Sequence, residues 1–244
     1  MAALVELPTM SCYASSVDEA RFIYKEIYED KCYDVANLSE APFIVDVGAN
    51  IGLASLYMKQ KYPSAKILAF EPAPETYDTL CKNLALHKVS GVETLQYGCG
   101  SKPGTAKLTF FPNLPGNSTL VPAEKQELYE EAVKKHGREA ADKRFGGARE
   151  VDVKLERLSH FLDSRSDIKQ IDLLKVDVEG AELEVLRGLD DAHWALVQNV
   201  VVETWEKSGS KAEIEALLKS KGFEVKTNDA AWAPNQFYML YAHR

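Results

Sequence analysis

The stretch Phe43-Ile44-Val45-Asp46-Val47-Gly48-Ala49-Asn50-Ile51-Gly52 decides how the rest of the chain is read. Residues 43–47 are almost all apolar, as suits a parallel strand buried on both faces. The glycines that follow permit a tight bend and close approach of a ligand to the backbone. An amphipathic segment over 53–61 then reads as a helix. The same alternation recurs outward along the chain. A strand over 67–70 precedes a helix over 74–87, with Pro74 in its first turn. Strands over 171–176 and 199–202 precede helices over 182–188 and 210–221, the last ended by Gly222. Further strands fall at 92–97, 106–111 and 149–155, and a pair at 223–226 and 237–242 closes the pattern. Repeated βα units predict an α/β fold, an open and mostly parallel sheet with helices on both faces. Its ligand is expected beyond the carboxyl ends of the strands.

Two segments stand outside this alternation. Residues 1–41 form a preface in which Ser16-Val17-Asp18-Glu19 has capping-box spacing. A helix is predicted from there to about residue 28, with Ala20, Ile23 and Ile27 on one stripe. Residues 121–149 are rich in Lys, Glu, Arg and Ala and predict a helical insertion, either a lid or surface decoration. The 244 residues suit one α/β domain spanning 1–244, and 45% hydrophobic residues can fill its core. Lys+Arg 29 against Asp+Glu 37 leaves a net charge of −8, which argues against a nucleic-acid partner. No apolar run approaches the ~18 residues of a membrane span, and the start lacks the regions of a secretory signal. The four cysteines show no CxxC spacing. They read as reduced thiols of a cytoplasmic protein.

The first turn carries the chemistry. No Gly-Lys-Ser/Thr follows it, so it is no P-loop. Asn50 stands where a dinucleotide fingerprint has its second glycine. Asp46 at the strand end would repel a pyrophosphate but suits a sulfonium or ammonium ligand. Glu71 ends the second strand, where a carboxylate can accept hydrogen bonds from both ribose hydroxyls. An acid, a glycine turn and a second acid one βα unit later favour S-adenosylmethionine over NAD.

Val45-Asp46-Val47-Gly48-Ala49-Asn50-Ile51-Gly52, Phe70-Glu71-Pro72 and Lys175-Val176-Asp177-Val178-Glu179-Gly180-Ala181-Glu182 occur in that order. Together they resemble the FkbM-type methyltransferases, a class I group that uses S-adenosylmethionine and releases S-adenosylhomocysteine. The resemblance spans roughly residues 43–205. It implies a Rossmann-like, doubly wound sheet of seven strands with a terminal antiparallel strand. It also implies methyl transfer to a hydroxyl of a small molecule, often a specialised metabolite. By the same resemblance Asp46, Gly48, Asn50 and Gly52 line the methionine end of the cofactor, Glu71 holds the ribose, and Gly98 and Cys99 lie near adenine. The chain departs from the pattern at Gly100-Ser101, where such proteins often carry an acidic or amide side chain.

At the reacting end, Asp177 and Glu179 follow one strand and Glu203 ends the next. In-line methyl transfer needs an oxygen held near the methyl carbon and relieved of its proton. Asp177 is the first candidate for that role and Glu179 the second. Capping of the next helix is the competing reading for Glu179 and for Glu182. Asn117, Ser118 and Thr119, in the loop 112–119, are candidate contacts to cofactor or acceptor, with ordinary turn chemistry an equal explanation. Tyr24, Tyr28, Trp205 and Trp232 are candidate walls of an acceptor pocket, with Tyr24 and Glu203 expected to touch the acceptor. His160 reads as a surface residue. Three alternatives remain open at this point: a divalent ion held by Asp177 and Glu203, an NAD-dependent oxidoreductase, and a non-catalytic S-adenosylmethionine-binding module.

Overall fold

A computed structural model describes residues 2–244. The chain opens with an antiparallel hairpin, β1 (Ala3–Glu6) and β2 (Ser11–Ala14), followed by helix α1 (Val17–Tyr24) and a π-helical turn, Lys25–Glu29. Alternation then runs β3 (Phe43–Val47), α2 (Leu53–Lys61), β4 (Lys66–Phe70), α3 (Pro74–Leu86), β5 (Val92–Leu95), β6 (Gly98–Cys99) and β7 (Gly104–Phe110). The insertion follows as α4 (Pro122–His136) and α5 (Arg138–Phe145), then β8 (Arg149–Glu156), α6 (Leu158–Asp163) and β9 (Leu173–Val176). The chain ends with α7 (Glu182–Arg187), α8 (Asp191–Trp194), β10 (Asn199–Trp205), α9 (Lys211–Ser220), β11 (Glu224–Asp229) and β12 (Phe237–His243).

Seven strands form the central sheet in the order β11-β12-β10-β9-β3-β4-β5. β12 is antiparallel to both of its neighbours, and the other pairings are parallel. Pleating divides the apolar side chains between two cores. Ile44, Ile67 and Leu173 face one, beneath α2 and the N-terminal elements. Val45, Leu68 and Leu174 face the other, beneath α6, α7 and α9. Burial on both faces explains why these strands read as continuous apolar runs. Between β3 and β9 the strand order reverses, since β3 has its sequence neighbour β4 on one side and β9 on the other. The crevice outside the strand ends at such a point is the expected ligand site.

The strands over 104–110 and 149–156 are not in this sheet. They pair with each other and with β6 in a separate three-stranded sheet, β6-β8-β7. The capping box at the start of α1 is only half made. Ser16 Oγ accepts the Glu19 amide at 3.3 Å, but the Glu19 carboxylate turns away and accepts the Gly116 amide at 2.7 Å. Among the described residues no helix is long and apolar enough to cross a membrane.

Candidate active site

The first turn is tied to both neighbouring strands. The amides of Gly48 and Ala49 donate to the Phe70 carbonyl at 3.0 and 2.8 Å. Gly48 has φ +81°, and a Cβ there would lie 1.8 Å from the Asp177 carbonyl oxygen. Only glycine lets the turns after β3 and β9 meet. Asn50 adopts φ +49°, and its amide donates to Glu71 Oε2 at 3.0 Å. Glu71 Oε1 accepts the Ala73 amide at 2.9 Å. Burial pushes the Glu71 carboxyl up to about 7, against the lowering effect of these two amides. Each carboxylate oxygen keeps a second lone pair for a ligand. Beyond Glu71 the cleft is walled by Tyr97, Gly98, Cys99, Leu108 and Leu120.

At the other end of the cleft the charges are organised in pairs. Tyr33 Oη donates to Asp177 Oδ2 at 2.6 Å. Lys175, buried in β9, lies 3.0 Å from Asp46 and 3.9 Å from Asp177 and donates to the Gly48 carbonyl at 2.7 Å. Burial alone would lower the Lys175 pKa, but the charges of Asp46 and Asp177 hold it above its usual value. Glu179 has φ +59°, a left-handed conformation for a non-glycine residue. Its Oε2 accepts from Lys125 of α4 at 2.5 Å, and its carbonyl accepts from Thr119 Oγ1 at 2.6 Å. Burial raises the Glu179 pKa, and the Lys125 charge opposes that rise. Glu182 Oε1 accepts the Gly180 amide at 2.9 Å and so braces the same turn. Neither Asp177 nor Glu179 caps α7, whose N-terminus has no side-chain cap. Glu203 and Glu26 complete an acidic wall. Burial first, then the neighbouring carboxylates, lifts Glu203 well above the usual range and Glu26 to about 8.

Behind this wall opens a chamber of about 960 Å³. Gly48, Asn50, Gly116, Asp177 and Glu179 line both it and the cleft, so the two spaces meet at the acids. Its apolar walls include Phe22, Ile23, Ile27, Leu128, Phe145, Trp232 and Phe237. Leu128 and Phe145 come from the insertion, which therefore roofs the chamber.

Of the residues expected from the sequence, Gly48, Asn50, Glu71, Gly98, Cys99, Ser118, Asp177 and Glu179 line the cleft. Asn117, Glu203 and Trp232 line the chamber. Four residues expected to touch ligands are placed elsewhere. Asp46 is buried beneath the turn, paired with Lys175 and accepting Ser55 Oγ at 2.8 Å. Its charge is thus neutralised within the protein, and the negative field at the reacting end comes from Asp177, Glu203 and Glu26 instead. Gly52 faces away from the cleft, with Leu80 Cδ1 2.6 Å from where a Cβ would sit. Its φ of +89° starts α2. Thr119 is fully buried, its hydroxyl shared between the Glu179 carbonyl and the Val121 amide. Tyr24 is buried against Tyr28, with ring centroids 4.6 Å apart, and its hydroxyl meets Thr9 at 2.8 Å. The sequence reading missed Tyr33, Glu26, Lys175 and Lys125. Only Lys175 carried a local signal, a lone cation in an apolar strand. No cluster of three or more His, Cys, Asp or Glu side chains in metal-binding geometry occurs among the described residues.

A seven-stranded sheet of this order, with an antiparallel strand beside the parallel set and a cleft at its reversal point, defines a Rossmann-like α/β fold. Residues 46–225 match the methyltransferase FkbM domain, and the chain belongs to that family. It is 63% identical to methyltransferase sdnD of Sordaria araneosa, covering 99% of this chain and 96% of that protein. It is 33% identical to the 31-O-demethyl-FK506 methyltransferase FkbM of Streptomyces tacrolimicus, covering 93% of this chain and 90% of that one. The crystal structure of a methyltransferase FkbM from Methylobacillus flagellatus superimposes with a TM-score of 0.60 at 14% identity, covering 90% of this chain and 48% of that chain. That likeness concerns the fold.

Proposed function

We propose that the protein transfers a methyl group from S-adenosylmethionine to a hydroxyl of a bulky small-molecule acceptor, as in specialised-metabolite chemistry, leaving S-adenosylhomocysteine. One observation carries the reading: a narrow cleft with a ribose-competent carboxylate meets a large, apolar-walled chamber at Asp177. The cleft fits the cofactor in three respects. Glu71 retains acceptor capacity beyond the two amides it holds. Asn50 Oδ1 is buried without a partner in the protein, a group that a ligand donor would satisfy. The acids at the cleft's inner end favour a cation. When bound, S-adenosylmethionine supplies a methyl group on a positively charged sulfur.

The chain's own residues would then do three things. Glu71 grips the ribose hydroxyls. The chamber holds the acceptor, and at about 960 Å³ it sits at the upper end for drug-sized ligands. Asp177, steadied by Tyr33, takes the hydroxyl proton as the carbon–oxygen bond forms. The Streptomyces relative is named for an O-demethyl compound, which supports an oxygen acceptor here. Acidic charge and unpaired thiols support a cytoplasmic enzyme whose partners are small molecules rather than nucleic acid or membrane. Calorimetry with S-adenosylhomocysteine tests the cofactor, and mass spectrometry of acceptor mixtures tests for a methyl-sized gain. Asp177→Asn should lower turnover by about 10²–10⁴-fold with cofactor affinity little changed. Wild-type turnover in that variant would remove Asp177 from the chemistry.

A further inference from the structure

Helix α4 runs fifteen residues, yet its one buried side chain is a lysine, Lys125. A helix that roofs a chamber ordinarily docks through an apolar stripe. Here the ammonium of Lys125, 4% exposed, ends 2.5 Å from Glu179 Oε2 and 3.2 Å from Asn117 Oδ1. Leu128, Ala141 and Phe145 add apolar contacts, but the insertion's other ion pairs to the body are solvent-exposed, such as Lys207 with Glu127 and Glu131, and exposed pairs contribute little. The partner of Lys125 is itself unusual. Glu179 holds a left-handed backbone at φ +59° and is followed by Gly180 at φ +108°. Glu124, the neighbour of Lys125, packs its carboxylate where a Cβ on Gly180 would fall. Thr119, just before α4, holds the Glu179 carbonyl. Both faces of the turn after β9 are therefore gripped from the insertion side.

We infer that Lys125 is a positioning residue of the methyl-transfer site: it latches the insertion onto Glu179, fixes the left-handed turn, and leaves Asp177 as the acid that faces the acceptor. The inference rests on the proposed function for the role of Asp177. The latch itself is independent of that role. The groups around Glu179 act in opposition. Lys125 from α4 and Lys175 from β9 favour its charge, whereas Asp177 disfavours it. Removing Lys125 would leave a half-buried carboxylate facing other carboxylates, which either takes up a proton or swings away and releases α4.

The test compares Lys125→Met, Lys125→Arg and the double variant Lys125→Met/Glu179→Gln with wild type, all without acceptor. Amide hydrogen exchange over 121–137 and 177–182 should speed at least tenfold in Lys125→Met and return toward wild type in Lys125→Arg. The double variant should recover thermal stability that Lys125→Met loses, because neither charge is then buried alone. Carboxyl ¹³C NMR, with Glu179 assigned through Glu179→Gln, should show its titration midpoint rising in Lys125→Met and returning in Lys125→Arg. A lysine that only packed, without pairing with Glu179, would leave that midpoint unmoved. Unchanged exchange or an unmoved midpoint in Lys125→Met overturns the latch. Failure of S-adenosylhomocysteine to bind the wild type would instead overturn the proposed function and leave the exchange result standing.

Discussion

Tyr33 Oη donates to Asp177 Oδ2 at 2.6 Å across a separation of 144 residues. Tyr33 belongs to the loop after the π-helical turn, and Asp177 directly follows β9, so this bond ties the N-terminal preface to the acid proposed to take the acceptor's proton. Lys175 lies 5.1 Å from the centre of the Tyr33 ring and backs the same group. The preface is therefore part of the site and not an appendage to the domain.

Tyr33→Phe keeps the ring and removes the donor. A hydrogen bond to a charged group is worth about 1.5–3 kcal/mol, so an Asp177 left without it should be less well held by about that amount. Turnover at saturating acceptor is expected to fall roughly 10- to 100-fold. Affinity for S-adenosylhomocysteine should hold within a few-fold, since Tyr33 lines the chamber and not the cleft. Steady-state kinetics beside calorimetry separates the two. Wild-type turnover would make Tyr33 a packing residue.

Glu71→Gln should weaken the cofactor more than it weakens the fold. The carboxylate serves two backbone donors, Asn50 and Ala73, one on each oxygen. A carboxamide offers one acceptor and turns its NH₂ toward the other donor. The first turn should loosen, and S-adenosylhomocysteine affinity should fall about 10- to 100-fold. A calorimetric constant equal to wild type would exclude Glu71 from the ribose site.

The parts of the site legible in the sequence are those carried by local pattern. Gly48, Asn50, Glu71 and Asp177 each sit at the end of a strand whose apolar run announces it. Asp46 looked alike, but its partner Lys175 comes from an adjacent strand, and the pairing of β3 with β9 is a matter of register that no local spacing reveals. Tyr33, Glu26 and Lys125 lie in segments with no strand or turn signature of their own. What brings them to the cleft and chamber is where distant chain segments return. The second sheet was hidden for a related reason. β7 and β8 alternate like strands with one face in solvent, and alternation does not say which sheet a strand joins.

Stability should fall as pH rises above the isoelectric region. Burial lifts Glu19, Glu71 and Glu182 to about 7 and Glu26 to about 8, from an ordinary 4.5. Between 4.5 and these values the folded chain binds more protons than the unfolded chain. The slope of unfolding free energy against pH is then negative. Stabilisation from the four groups is complete below about 4.5 and is lost as pH passes through 7 to 8. Thermal melting at constant ionic strength from pH 6 to 9 should show a midpoint that falls throughout, the buried thiols of Cys12, Cys32 and Cys99, raised above their usual range, carrying the fall on near pH 9. A midpoint that rises over this range would mean that the acids are paired in solution more fully than the structure shows.

The last prediction sets two glycines against each other. Gly48→Ala must adopt φ +81° with its new methyl 1.8 Å from the Asp177 carbonyl oxygen, a distance no side-chain rotation can relieve. The turn after β3 or the turn after β9 has to move, and with them the amides that hold Phe70 and the acid at the reacting end. Backbone strain of the kind costs about 1–3 kcal/mol before the clash is counted, so the variant should melt several degrees lower and lose measurable cofactor binding. Gly104→Ala is the control. It lies at the start of β7, has no positive φ, and a Cβ there meets nothing within 4 Å. Ala should be neutral or slightly stabilising at such a site, because it restricts the unfolded chain. Both variants change glycine to alanine once in the same protein, so composition and unfolded-state entropy are matched. A Gly48→Ala variant that melts and binds like Gly104→Ala would show that the two turns do not meet as described, and the placement of Asp177 beside the first turn would fall with them.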